Sequence, residues 1–329
     1  MRGTLTKQAR RIGGRVKRRA GGQLHRWRRL RARWTPPRSD PPSVVLRGSP
    51  EAGYRVPWPA YPPPGYLGQL VPSYQEKLAK SRAWIGRDDC HFYHATTLPD
   101  GEVIQGAWDL RGREDAYLGG AHLDGRRILE LGPASGHLTR YMEAVAGEVV
   151  SFDVGFDRSV DLLPRYGEDP EWARMDAMSH ICMVQNSWWY LARQFDSSAK
   201  MVYGNIYELP GDIGVFDVSV LAAILLHLRN PFDALQQSAG RTARQIVVTE
   251  PLQDPTLPSD HKLMRFAPFG NENPGNWWLF TPGMIVEMLT HLGFARTHVT
   301  YHTQPHHLAH DLTKPAQDLA MFTVVGERI

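Results

Sequence analysis

The sequence predicts an α/β fold with a doubly wound, mostly parallel sheet, and two observations support this prediction. From Arg127 onward, short runs of β-branched and apolar residues alternate with helical stretches, which is typical of helices wound onto both faces of a sheet. The runs His298–His302 and Leu319–Val325 have no helical period between them, so they predict an antiparallel hairpin that closes the sheet. With 329 residues the chain is long enough to bury a substantial core.

Residues 1–40 form a strongly basic segment. They contain 14 of the 38 Lys and Arg residues of the chain and a single acid, Asp40. Self-repulsion and a shortage of apolar groups predict a disordered arm, whose role is either solubilising or the binding of RNA or an anionic membrane surface. Subtraction leaves 24 basic and 33 acidic residues, a net charge of −9, in the rest of the chain.

A proline-rich stretch after the arm predicts a linker over residues 41–73. Ten prolines lie within residues 36–64, where they remove backbone donors and favour extended backbone. Residues 74–120 are predicted to form a small cap of helix and strand. Residues 121–329 are predicted to form the main domain.

Cysteine content and hydropathy predict a cytoplasmic protein. Cys90 and Cys182 are far apart and isolated, which excludes a disulfide framework and a paired-cysteine zinc site. The most apolar window, Val215–Leu228, contains Asp217 and is too short to span a membrane. The basic arm still allows a peripheral location at the inner membrane.

Five strands of the main domain are predicted from their apolar runs. They are Ile128–Leu131, Glu148–Val154, Lys200–Ile206, Phe216–Ala222 and Gln245–Glu250. Helices are predicted over Pro170–Phe195 and Thr281–Leu292. Trp188 and Trp189 on the first helix are interpreted as core, because consecutive helical residues cannot all face one pocket.

The first predicted strand ends in a glycine-bounded turn that opens a helix. The turn residues are Gly132, Pro133, Ala134, Ser135 and Gly136. Such a turn lets a ligand approach the backbone and presents the free N–H groups of a helix start. Asp153 ends the second strand, where its carboxylate can accept both hydroxyls of a ribose. Together these features predict a nucleoside pocket, and the absence of glycine at positions 134 and 137 disfavours a dinucleotide.

The residues of this pocket resemble those of class I S-adenosylmethionine-dependent methyltransferases. Glu130–Gly136 resembles their first motif, Asp153 their ribose-binding acid, and Asn205 and Ile206 the adenine-binding segment after the third strand. The resemblance implies a Rossmann-like, seven-stranded methyltransferase sheet. It also implies S-adenosylmethionine as the cofactor and these residues as its binding site.

A narrower resemblance comes from Leu225–Pro231 and Gly275–Trp278. These segments look like the branch that contains the tRNA wobble-uridine carboxymethyltransferase, in which a tyrosine and an arginine grip the extra carboxylate of carboxy-S-adenosylmethionine. Here those places hold Leu226 and Gly275. Because an apolar residue cannot offset the cost of burying a carboxylate, we expect ordinary S-adenosylmethionine.

Catalytic and acceptor-binding residues are predicted around the fourth strand. His227 follows its carboxyl end and is the candidate general base, with a role in capping its loop as the alternative. Trp277, Trp278 and Arg265 are predicted to line the acceptor pocket, since aromatic walls and a guanidinium suit a planar or sugar-like group.

No metal site is predicted. His302, His306, His307 and His310 are close in sequence, but they fall in or beside the expected hairpin connection with its prolines, which favours a surface loop.

The leading functional prediction is therefore transfer of a methyl group to oxygen or nitrogen of a small-molecule, sugar or glycan acceptor. One alternative is methylation of tRNA or another RNA, with the basic arm supplying phosphate contacts. The other is a non-catalytic binding protein with a degenerate cofactor pocket, which Ala134 permits.

Overall fold

The computed structural model describes residues 68–155, 160–162, 167–252, 258–266, 276–307 and 311–328. These residues belong to the compact unit Pro59–Ile329. The predicted arm and residues 41–67 of the predicted linker lie outside the described residues, as do Gly275 and His310.

Helices alternate with strands along most of the described residues. In chain order the elements are α1 Pro72–Ser81, β1 Thr96–Thr97, β2 Val103–Ile104, α2 Glu114–Tyr117, β3 Arg127–Leu131, α3 His137–Glu143, β4 Glu148–Val154, α4 Pro170–Gln194, β5 Lys200–Gly204, β6 Phe216–Ala222, α5 Pro231–Gly240, β7 Thr242–Pro251, β8 Met264–Phe266, β9 Trp278–Phe280, α6 Pro282–His291, β10 Arg296–His306 and β11 Gln317–Glu327. Short 3-10 turns lie at Arg87–Asp89, Gly211–Ile213 and Leu225–His227.

Seven strands form one mixed sheet in the order β10-β11-β7-β6-β3-β4-β5. Strands β3 to β7 are mutually parallel, whereas β11 pairs antiparallel with both β7 and β10. This arrangement confirms the predicted doubly wound sheet and its closing hairpin. Because β3 lies between β4 and β6, the chain reverses its direction of winding at the carboxyl end of β3, where ligands bind in such sheets.

The closing hairpin is longer than predicted. The predicted strand His298–His302 continues to His306, so the interpretation of His306 as a loop residue is wrong. Pro305 does not end the strand, because β10 is an edge strand and proline there removes no hydrogen bond from the ladder.

Apolar side chains cover both faces of the sheet. On one face Leu129, Val248 and residues of α5 and α6 form a buried cluster. On the other face the cap segment contributes Trp108 and Leu110, which pack with Val247 and residues of α3 and β11. Trp188 and Trp189 of α4 are buried beside β5, as the core interpretation predicted.

Two glutamine side chains cover the free edge of β5. The amide of Gln69 donates to the carbonyl of Tyr203 at 2.8 Å and accepts from its N–H at 2.9 Å. Gln75 bonds Met201 in the same way, at 2.7 and 3.1 Å. Gln69, which lies in the predicted linker, is only 1% exposed. The two side chains thus take the place of a neighbouring strand. They bond backbone N–H and C=O groups of β5 that could otherwise pair with a strand of another chain.

Among the described residues, no helix combines the length and the apolar character needed to cross a membrane.

Candidate functional site

The turn after β3 has an unusual backbone. Gly132, Ala134 and Gly136 have φ values of 72°, 48° and 84°, and α3 begins directly afterwards at His137. Left-handed backbone costs an L-residue roughly 1–2 kcal/mol, so Ala134 is strained where glycine would be relaxed. Strain of this kind collects at functional sites.

Close neighbours require glycine at both ends of this turn. A β-carbon at Gly132 would come within 2.9 Å of Cδ1 of Ile224, and one at Gly136 within 2.7 Å of Cδ1 of Trp188. The turn is therefore held between the loop after β6 and helix α4. Trp188 also donates from Nε1 to the hydroxyl of Thr139 at 3.1 Å, which fixes the indole behind the turn.

Glu130 holds the strand before the turn. Its buried carboxylate accepts from the hydroxyls of Thr139 and Ser151, the latter at 2.9 Å. Burial raises the pKa of this carboxyl group above its ordinary value. The two hydroxyls tie α3 and β4 to β3, so Glu130 stabilises the base of the predicted cofactor site.

Asp153 lies near the carboxyl end of β4, next to the glycine turn across the sheet. Its Oδ1 accepts from the N–H of Val154 at 2.7 Å, and the side chain is half-buried. Burial raises the pKa of Asp153 to about 6, while hydrogen bonds from Val154 and Gln185 act in the opposite direction. A further hydroxyl that donates a hydrogen bond to this carboxylate would stabilise its charged form.

Asn205 and Ile206 follow β5 at the same edge of the sheet. Oδ1 of Asn205 accepts from the N–H of Tyr207 at 3.1 Å, which closes a tight turn. The Ile206 side chain packs against the edge of the core cluster. The turn places both predicted cofactor residues next to the end of β4.

The loop after β6 carries His227 on a 3-10 turn. The half-buried His227 donates its backbone N–H to the carbonyl of Ile224 at 3.0 Å. Ala223, just before this turn, has a φ of 51° and is a second strained alanine at this edge. The loop is thus sharply bent and brings His227 to the carboxyl edge of the sheet.

Glu250, near the end of β7, fixes this loop through hydrogen bonds to its backbone. It is 1% exposed, and its Oε1 accepts from the N–H of Leu225 at 2.9 Å, with a further backbone bond from Leu226. Its other oxygen, Oε2, has no hydrogen-bond partner within the described residues. Burial raises the pKa of Glu250 to about 8.

An aromatic group lies beside the His227 loop. The N–H of Trp277 donates to the carbonyl of Leu226 at 2.8 Å, and Nε1 of Trp278 donates to the carbonyl of Leu228 at 2.9 Å. The ring of Phe266 on β8 lies 6.2 Å from that of Trp277 and 5.3 Å from that of Trp278. The loop after β6 therefore positions both tryptophans.

The cation on this aromatic group was not predicted. Arg265 is exposed and neighbours Phe266 on β8, so the two side chains point to opposite faces of that strand. It is the guanidinium of Arg229 that lies over the Trp277 ring, 5.2 Å from its centroid. This distance is within the range of cation–π attraction.

Asp161, in the connection between β4 and α4, joins several parts of the site. Its Oδ2 accepts from the hydroxyl of Tyr207 and from the N–H of Arg229, the latter at 2.7 Å. Its carbonyl accepts from Nε1 of Trp277 at 3.3 Å. The connection that follows Asp153 is thereby tied to the segment after β5, to the His227 loop and to the aromatic group.

Comparison with known proteins identifies the family. A family model described as Methyltransferase domain matches residues 110–299, more than half of the chain. The chain belongs to the Methyltransferase domain family. Its fold and glycine turn agree with this assignment, which confirms the predicted enzyme class. The narrower branch stays a prediction, and no curated protein matches the chain.

Solved structures with a similar fold share little sequence with this methyltransferase. The YcgJ protein from Bacillus subtilis is 10% identical with a TM-score of 0.45, covering 65% of this chain and 97% of its own. The N-terminal domain of EvdMO1 with SAH bound is 15% identical and has a TM-score of 0.41. The match covers 77% of this chain and 95% of that domain. A 1,6-didemethyltoxoflavin-N1-methyltransferase from Burkholderia thailandensis is 14% identical and has a TM-score of 0.40. The match covers 66% of this chain and 78% of that enzyme. Likeness at this level concerns the fold and not the substrate.

The outer side of the glycine turn contacts the cap of this methyltransferase. The hydroxyl of Ser135 is fully buried and accepts from the N–H of His94 at 3.0 Å. His137 bonds Glu114 through Nε2 at 2.9 Å and Thr96 through Nδ1 at 3.3 Å. Burial lowers the pKa of His94 to about 3 and keeps its ring neutral.

Several site residues escaped the sequence analysis. Asp161 and Tyr207 gave no local signal of a role in the site. Arg229 lies within the segment Leu225–Pro231, but its position over Trp277 was not predicted. Glu250 offered a weak signal, an acid that directly follows a run of apolar strand residues, because a carboxylate there needs a specific partner.

Proposed function

We propose that this methyltransferase transfers the methyl group of S-adenosylmethionine to oxygen or nitrogen of a small-molecule, sugar or glycan acceptor. The observation that carries the proposal is the strained turn Gly132–Gly136 beside the half-buried Asp153 at one edge of the sheet. Open helix N–H groups suit the charged amino-acid part of the cofactor, and a carboxylate suits its ribose hydroxyls.

The cofactor would lie along the carboxyl ends of β3, β4 and β5. The backbone of Gly132, Pro133, Ala134, Ser135 and Gly136 would approach its methionine part, above the strand that Glu130 anchors. Asp153 would accept from the ribose, whereas Asn205 and Ile206 would contact the adenine. Leu226, only 4% exposed, packs in the apolar core, which supports ordinary S-adenosylmethionine over a form with an extra carboxylate.

The acceptor would bind at the carboxyl edge of the sheet, beside the His227 loop and the aromatic group that packs on it. When bound, S-adenosylmethionine would supply an electrophilic methyl group, which a lone pair on the acceptor would take from sulfur, leaving the electrons of the carbon–sulfur bond on the demethylated product. Alignment of the reactants is the main requirement, and a hydroxyl acceptor also needs a base. His227 would accept that proton, while Trp277 and Trp278 would line the acceptor pocket, with Arg229 in place of the predicted Arg265 as its cation.

Calorimetric titration of the full chain tests this proposal. The ligands are S-adenosylmethionine, its demethylated product, carboxy-S-adenosylmethionine and NAD, and the variant is Asp153→Ala. Asp124→Ala is the matched control, because Asp124 is an exposed carboxylate ahead of β3, at the opposite end of that strand from the glycine turn. We expect S-adenosylmethionine and its product to bind the wild type and the control, and binding to the Asp153 variant to be at least tenfold weaker, the loss of roughly one charged hydrogen bond.

The other outcomes separate the alternatives. Binding of the carboxy form alone would make the inference from Leu226 wrong and favour a tRNA substrate. Binding of NAD alone would contradict the cofactor assignment, and no binding at all would favour a non-catalytic binding protein.

The arm of residues 1–40 stays a prediction. Deleting these residues and measuring retention on RNA and on anionic vesicles tests its two predicted partners. Retention on RNA that falls steeply with salt would favour RNA methylation, and loss of vesicle binding on deletion would favour a location at the membrane.

A further inference from the structure

A pocket of about 210 Å³ opens at the amino edge of the sheet, opposite the glycine turn. Arg126 precedes β3, Arg244 lies near the start of β7, Arg296 begins β10, and Arg328 follows the end of β11. These four arginines line the pocket together with Gln245 and Glu327. The parallel strands separate this edge from the one that carries Asp153 and His227.

The positive charge of the pocket exceeds the negative charge that faces it. Arg296 pairs with Glu327 at 3.2 Å, and Arg244 pairs with Asp217 at 3.1 Å. Arg328 donates to the carbonyl of Ala239 at 2.8 Å, a neutral partner. Arg126 and Arg328 form no ion pair within the described part of the chain. Two carboxylates thus face four guanidinium groups, which leaves a net charge of about +2.

The positive charge of the pocket contrasts with the net negative charge of the chain beyond residue 40. Beyond residue 40 the chain has 24 basic and 33 acidic residues. Like charges that converge on one depression repel one another, and a bound anion relieves that repulsion. The lining also includes neutral polar groups, and Nε2 of Gln245 donates to Glu327 at 2.8 Å.

We propose that the pocket binds a phosphate group. Guanidinium forks match the oxygens of a phosphate in pairs, and a phosphate dianion balances a local charge of about +2, which a single carboxylate does not. The volume admits a phosphate with a small organic substituent. The source is either a free phosphate compound or a lipid headgroup, and the chemistry of recognition is the same for both. This inference does not rest on methyl transfer at the other edge.

Phosphate binding to the full chain tests the proposal. Calorimetric titration with inorganic phosphate and with pyrophosphate, at constant ionic strength, is compared for the wild type, Arg126→Gln and the double variant Arg126→Gln/Arg296→Gln. Arg174→Gln is the matched control, because Arg174 is exposed and ion-paired with Glu171 on α4. The arm is present in every protein, so its own affinity for phosphate cancels.

Beyond the arm's contribution, which all four proteins share, we expect one saturable site in the wild type and the control, about tenfold weaker in Arg126→Gln and lost in the double variant. The thermal midpoints of all four proteins without ligand should agree within a few degrees, since the replaced side chains are at the surface. Equal binding by all four proteins, or none by the wild type, would overturn the proposal. Flotation with phosphatidic acid vesicles, against phosphatidylcholine, then separates the sources. Weaker flotation of the double variant than of the wild type identifies a headgroup, and equal flotation of the two proteins, with phosphate binding lost in the variant, identifies a free compound.

Discussion

Replacement of Glu250 probes how the His227 loop is held. In Glu250→Leu the N–H groups of Leu225 and Leu226 lose their acceptor, whereas in Glu250→Gln the amide oxygen can still accept. A buried donor without a partner costs roughly 1–3 kcal/mol, so two of them lower the free energy of unfolding of the leucine variant by about 2–6 kcal/mol. The glutamine variant should stay within about 1 kcal/mol of the wild type at pH 5.

The two variants also differ in their response to pH. Because folding raises the pKa of Glu250 from 4.5 to about 8, the folded state holds a proton that the unfolded state releases. The stabilisation from this proton is complete below pH 4.5 and is lost as the pH rises through about 8. At 1.36 kcal/mol per pH unit the loss is on the order of 5 kcal/mol. Glu250→Gln removes this dependence, so its stability relative to the wild type should increase between pH 5 and pH 9.

Denaturant unfolding at pH 5, 7 and 9 measures both effects, and S-adenosylmethionine binding reports on the site. If Glu250→Leu proves as stable as Glu250→Gln at every pH, the carboxyl group does not hold the loop. If the wild type and Glu250→Gln keep a constant difference from pH 5 to pH 9, the raised pKa is wrong.

Four further predictions follow from other parts of the structure. Gly136→Ala should weaken S-adenosylmethionine binding by at least tenfold in calorimetry, because its β-carbon would meet the Trp188 ring at 2.7 Å; unchanged affinity would show that the turn can shift. Ala134→Gly should raise the free energy of unfolding by up to about 1 kcal/mol, because it relieves a φ of 48°, and a drop in stability would contradict the strain. Affinity for S-adenosylmethionine should fall as the pH drops below about 6, where Asp153 gains a proton, and a pH-independent affinity would exclude its carboxylate from the contact. Gln75→Ala should lower the thermal midpoint and expose the edge of β5, at a cost of about 1–3 kcal/mol; Lys77→Ala, on the same helix and at the surface, is the control, and equal midpoints would refute the edge role.

The amino-acid sequence alone determined the frame of this protein. Alternating apolar runs predicted β3 to β7 because strand and helix periods are local properties of a few consecutive residues. The glycine turn and Asp153 were predictable for the same reason, since each is read from its position at the end of a strand. Trp277 and Trp278 were predicted as site residues because they are aromatic, but their contacts with the His227 loop were not predicted.

The tertiary structure decided which distant polar groups meet. Oε1 of Glu250 bonds Leu225, 25 residues away, and Gln69 bonds Tyr203, 134 residues away. Asp161 lies 68 residues before Arg229 and 46 before Tyr207, yet one carboxylate serves both. No periodicity encodes such pairs, because they depend on the order of strands in the sheet and on how each connection crosses it. Sequence pattern specifies the elements, whereas burial leaves each polar group to be satisfied by whichever partner the topology brings within hydrogen-bond distance.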